Sequence, residues 1–149
     1  MIDLRDLHHA PETIVGAPRL MPHPEGGHYR EIWRDIPNQG LRGVGTAIQF
    51  LLAAGQRSHW HRIDAAELWL WQAGAPLLLQ VGTESRASLG PSLAAGERLQ
   101  YVVPPLAWQS AHSTGRWSLC CCVVTPAFEF AGFELAPSGW EPSEANHSV

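Results

Sequence analysis

The chain is punctuated too often for long helices. Its 14 Gly and 12 Pro recur throughout, and short runs rich in β-branched, aromatic and aliphatic residues lie between them. Residues 46–54, 58–61, 67–71, 77–81, 99–103, 108–111 and 117–125 read as strands, and 128–135 is a last aromatic segment. Short runs at roughly 8–12-residue spacing with turn signals point to a β-sandwich or barrel. Residues 3–16 leave room for one short helix before Pro18 and Pro22 break it. The expectation is an all-β fold, a jelly roll or two crossed sheets, whose mouth suits a small ligand.

The bulk numbers narrow the function classes. With 149 residues, 45% hydrophobic and 16% charged, the chain fits one globular domain. We place that domain at 1–136, with a flexible Pro-, Ser- and Glu-rich tail at 137–149. A net charge of −4 offers no basic patch for nucleic acid or an anionic membrane. All ten basic residues are Arg, which excludes a Schiff-base lysine and a P-loop lysine. There is no apolar stretch of ~18 residues and no signal-peptide pattern, so a soluble cytoplasmic protein is expected. Cys120, Cys121 and Cys122 are adjacent and lack Cys-x-x-Cys spacing; they read as small hydrophobes in a buried strand.

Chemistry concentrates around His59, His61 and Glu67. Alternate strand residues share a face, so His59 and His61 can aim two imidazoles at one point. Glu67 on the next strand would complete a two-His-one-carboxylate set suited to iron, manganese, nickel or zinc. Glu67 shares its face with Trp69 and Trp71, which would desolvate it and demand a metal, a proton or an Arg partner such as Arg62 or Arg30. His112 is a weaker candidate ligand.

The phrase from His23 to Glu31 carries a second group. Gly26 and Gly27 permit positive φ and close backbone approach, as in a loop folded over a pocket. Glu25, His28 and Tyr29 offer a base and acids for proton transfer beside a carbonyl; the alternative is a tight turn that tethers a strand. Arg30, Arg34 and Arg42 can hold a carboxylate or phosphate, or remain solvated. Trp60, Trp69, Trp71 and Trp108 fall next to these residues and either wall a pocket or fill a core.

The His-x-His, the Glu and Gly74 seven residues after it resemble the first motif of the cupin superfamily. His23-Pro24-Glu25-Gly26-Gly27-His28-Tyr29-Arg30-Glu31, Thr46-Ala47-Ile48-Gln49-Phe50-Leu51-Leu52, Trp60-His61-Arg62, Glu67-Leu68-Trp69, Val102-Val103-Pro104, Trp108-Gln109 and the ending Val124-Thr125-Pro126-Ala127-Phe128-Glu129-Phe130-Ala131-Gly132-Phe133-Glu134-Leu135 resemble one cupin family in particular, domain of unknown function 985. The resemblance covers about residues 5 to 136. It implies a double-stranded β-helix barrel and a homodimer, and no established activity. Gln109 stands where the second motif has a histidine ligand, a weaker donor that would lower transition-metal affinity.

Three functions follow as expectations. The first is a small-molecule site, metal-capable through His59, His61, Glu67 and Gln109, with Glu25, His28, Arg30 and Trp69 against the ligand. The second is a metal-free sugar or sugar-nucleotide isomerase or epimerase with His61 as base and Tyr29 or His28 as acid; His61, Glu67 and Tyr29 are the candidate catalytic residues. The third is a metabolite-binding protein without turnover.

Overall fold

The computed structural model describes residues 2–16 and 19–143. Helix α1 (Pro11–Gly16) precedes eleven strands: β1 (Met21–Pro22), β2 (His28–Arg34), β3 (Thr46–Ala53), β4 (Arg57–Ile63), β5 (Ala66–Gly74), β6 (Leu77–Val81), β7 (Ser85–Leu89), β8 (Gln100–Val103), β9 (Gln109–Ser113), β10 (Trp117–Thr125) and β11 (Phe133–Leu135). They form a six-stranded sheet in the order β1-β2-β3-β10-β5-β8 and a five-stranded sheet in the order β11-β4-β9-β6-β7.

This is the two-layered double-stranded β-helix expected, with one correction: the sheets are not closed into a barrel. An isolated bridge joins Leu89 to Arg98. At the opposite edges, β1 is two residues long and ends on Pro22, which has no N–H to donate, and β11 is three residues long.

The long apolar runs in the sequence reflect burial on both faces of the larger sheet. Phe50 and Leu52 of β3, Trp69 of β5 and Cys120 and Cys122 of β10 face Leu77, Leu79 and Leu89 of the smaller sheet, forming the main core. Leu51, Ala73, Trp117 and Leu119 point the other way and are covered by Ile14 and Leu20. Helix α1 is a short lid on that outer face; Pro11 occupies its first position, where a missing N–H costs nothing. It is shorter than the 3–16 window allows, and Pro18 lies outside the described residues.

All three cysteines are free and buried. Burial pushes the Cys120 thiol up to about 12 and Cys122 well above its ordinary value, so they are packing groups, not nucleophiles. Of the tail, Pro137, Trp140 and Glu141 contact β4: Trp140 packs against Trp60, and Trp60 Nε1 donates to Glu141 at 2.8 Å. Residues 144–149 lie outside the described residues. Among the described residues no helix is long and apolar enough to cross a membrane.

Candidate functional site

A third apolar cluster, Ile63, Ala65 and Val124 with Phe128 and Phe133, lies at one end of the sandwich. Here the inner faces do not meet. They leave a cavity of about 60 Å³, which holds a handful of waters at ~10–15 Å³ each. Glu25, His61 and Glu67 line it, as do Tyr29 and the Phe128, Phe130 and Phe133 side chains.

Glu25 is held in place by backbone geometry. Gly26 and Gly27 have φ of 107° and 76°, and a Cβ on Gly26 would lie 2.1 Å from Arg57 O. Only glycine lets the 23–27 loop press against β4 this closely. His59 N then donates to Glu25 O at 2.7 Å, and Ser58 Oγ donates to Glu25 Oε1 at 2.9 Å. The other carboxylate oxygen is left facing His61.

His61 is 2% exposed. Its Nδ1–H donates to His59 O at 2.7 Å, so Nε2 is the nitrogen turned to the carboxylates. Nε2 lies 3.2 Å from Glu25 Oε2 and 4.0 Å from Glu67 Oε2. Burial pulls the imidazole pKa down, but Glu25 and Glu67 outweigh it and raise it to about 9. Burial likewise pushes Glu25 up to about 7; His61 opposes the shift and Glu67 adds to it. The two groups therefore compete for one proton across a short contact.

Glu67 is positioned by a chain of donors. Trp69 Nε1 donates to Gln109 Oε1 at 2.8 Å, and Gln109 Nε2 donates to Glu67 Oε2 at 2.5 Å. An indole N–H only donates, so it fixes which end of the amide meets Glu67.

The metal set read from the sequence is not assembled. The β4–β9 pairing shifts register between Ser58 and His61; such a bulge breaks the two-residue alternation. His59 accordingly leaves the shared face, and its Nε2 donates to Pro137 O at 3.0 Å. The Gln109 oxygen is engaged by Trp69. Among the described residues no group of three or more His, Cys, Asp or Glu is placed to hold a metal ion. The donor set does not fit the metal that the family resemblance suggests. His112 sits on β9 opposite Arg57 and Leu78, away from the cavity.

Among the proposed ligand contacts, Tyr29 and Glu25 line the cavity, whereas His28 and Arg30 do not. The alternation along β2 sends Tyr29 and Glu31 inward and the residues beside them to the other face. Trp69 is core, 1% exposed, and acts through Gln109. Trp60 and Trp108 pack on Trp140, so the tryptophans do not wall the cavity. Neither Arg alternative for Glu67 holds: Arg62 pairs with Glu134 at 2.6 Å, and Arg30 lies off the cavity.

His23 was missed. It lines the cavity, its Nδ1 accepts from Glu25 N at 3.2 Å, and its ring stands 4.6 Å from that of Tyr29. Burial, helped by nearby His61, lowers it to about 4, so it is neutral at pH 7. Its place in the same phrase as Glu25, two residues before it, was the available signal.

Residues 12–136 match the family described as Cupin superfamily (DUF985), and the chain belongs to that family. The structure is similar to a hypothetical protein from Leishmania major, at 30% identity and a TM-score of 0.78, covering 86% of this chain and 88% of that one. It is also similar to a protein from Shewanella oneidensis, at 35% identity and a TM-score of 0.80, covering 86% and 85%. A cupin 2 conserved barrel domain protein from Rhodopseudomonas palustris shares the fold at 15% identity and a TM-score of 0.57, over 80% of this chain and 77% of that one. No curated protein matches the sequence.

Proposed function

We propose that the cavity binds a small polar molecule and that His61 and Glu25 transfer a proton on it without a metal. The observation that carries this reading is the buried 3.2 Å contact between His61 Nε2 and Glu25 Oε2 at the cavity wall. When Glu25 holds the shared proton His61 is neutral, and once a ligand takes the place of the Glu25 contact the Nε2 lone pair can take a proton from a carbon beside a carbonyl. The Tyr29 phenol or the Glu25 carboxyl then returns one to oxygen or carbon, as in an isomerase or epimerase. Glu67, held by Gln109, stabilises the imidazolium formed in between.

The test is deuterium uptake in heavy water, read by NMR on a panel of sugars, hydroxyketones and amino carbonyl compounds. Wild-type protein should label the carbon next to the carbonyl, with or without a chelator. His61→Asn and Glu25→Gln should lower the rate by about 10²–10⁴-fold. Compounds that raise the melting temperature without taking up label would instead define a binding protein.

A further inference from the structure

The charges and rings lining the cavity select a ligand class. Two side chains that carry positive charge line the cavity, Arg34 and His61, and both are committed. Arg34 Nε and Nη2 donate to the two Glu31 oxygens, each at 2.9 Å, and Nη1 donates to Phe128 O at 2.9 Å. His61 lies between Glu25 and Glu67. His23 has given its Nδ1 lone pair to the Glu25 amide. A phosphate or carboxylate entering here would face two carboxylates with no uncommitted cation among the described lining residues.

A cation would find the opposite. With one proton on the His61–Glu25 pair, wherever it sits, the trio with Glu67 carries one negative charge. Glu67 is 7% exposed, and its short hydrogen bond comes from a neutral amide. A buried charge without a full counter-charge is costly, and a positive ligand removes that cost.

The rim adds aromatic faces. The Phe128 and Phe130 rings stand 5.0 Å apart at 83°, Phe128 and Phe133 5.8 Å apart at 65°, and Phe130 and Phe133 6.1 Å apart at 83°. Three mutually steep rings make a corner of the kind that holds an ammonium group through cation–π attraction.

We propose that the cavity takes a small organic cation, an amine or alkylammonium head on a compact apolar body, and rejects phosphorylated and other anionic compounds. The proposal rests on the reading that this cavity is a small-molecule site, and it turns that reading away from sugar nucleotides.

Calorimetric titration of the full chain with choline, with its uncharged carbon isostere dimethylbutanol and with inorganic phosphate tests it. Choline should bind about tenfold or more tightly than the isostere, and phosphate should not bind. Glu67→Gln should remove the preference for choline. Phe130→Leu, at a position 59% exposed, should weaken choline by about two- to fivefold and weaken the isostere less, since leucine keeps an apolar contact but no π face. Equal binding of choline and the isostere, binding of phosphate, or binding of none of the three overturns the proposal. Choline bound without any deuterium uptake on any compound upholds it and removes the proton-transfer reading. Uptake on uncharged sugars with no choline binding does the reverse.

Discussion

The two ends of the sandwich share strands β3, β5 and β10 of the larger sheet and are filled in opposite ways. Toward β6 and β7, Leu52, Leu77, Leu79 and Leu89 are 0–1% exposed and close the space between the sheets. Toward β4 and β11, the same layers stay apart around Glu25, His61 and Glu67. Strand β5 spans both conditions, with Glu67 at the cavity and Trp69 two residues on in the core. The first end contributes stability through buried apolar area. The second places ionisable groups where water is scarce, an arrangement that costs stability.

The sharpest way to break this comparison is to truncate one side chain at each end. Leu79→Ala, at a site with 0% exposure, should cost about 2–5 kcal/mol in chemical denaturation. Glu25→Gln should change stability by less than about 1 kcal/mol, because its amide oxygen still accepts from Ser58 Oγ and Glu67 remains near His61. Equal losses at both ends would make the polar cluster a structural element. Gly26→Ala comes next. It forces a left-handed φ of 107° and a Cβ 2.1 Å from Arg57 O, so a loss of about 1–3 kcal/mol is expected. Unlike Leu79→Ala, it should also move Glu25 and abolish deuterium uptake at temperatures where the fold is intact.

How legible each end was follows from what a period of two can carry. The alternation of Glu67, Leu68, Trp69 and Leu70 was enough to put Glu67 and Trp69 on one inner face, as observed. The same rule failed at His59 and His61, because the shift between Ser58 and His61 depends on pairing with β9, a strand some fifty residues on that local sequence does not reveal. β7 escaped notice because Ser85, Arg86 and Ser88 are polar and only Ala87 and Leu89 are buried. Its place comes from partnership with β6, not from its own pattern. The family phrases located the cavity, since they contain Glu25, Tyr29, His61, Glu67 and Phe133. They did not tell ligand from scaffold: Gln109 was read as a donor to a metal and is an orienting amide between Trp69 and Glu67.

The pH dependence of stability sharpens the comparison further. The His61 pKa is raised from 6.5 to about 9 in the folded chain. A raised histidine contributes stability that is fully present below its unfolded value and is lost as pH rises through the folded value. Between pH 7 and 9 the folded protein holds a proton that the unfolded chain releases, so stability should fall by up to about 1.4 kcal/mol per pH unit. This window lies above the folded value of His23, at about 4, and begins at that of Glu25, at about 7, which adds to the slope only at the lower edge. His61→Asn should flatten the slope, whereas Leu79→Ala should lower the whole curve and leave the slope intact. A wild-type curve flat across this window would mean that His61 is neutral in the folded state.

The smallest effect is expected outside the cavity, at Arg62. It follows His61 directly, yet its Nε donates to Glu134 at 2.6 Å, and its guanidinium stands 4.8 Å from the Trp108 ring. Arg62 and Glu134 have side chains 27% and 56% exposed, so solvent screens the pair, and Arg62→Ala should cost about 0.5–1 kcal/mol. The pH slope should not change, because Glu67 answers to Gln109 and His61, not to this arginine. If Arg62→Ala flattened the slope as His61→Asn does, the outer face of β4 would be electrostatically continuous with the cavity, and the division between a structural and a chemical end would fail at this strand.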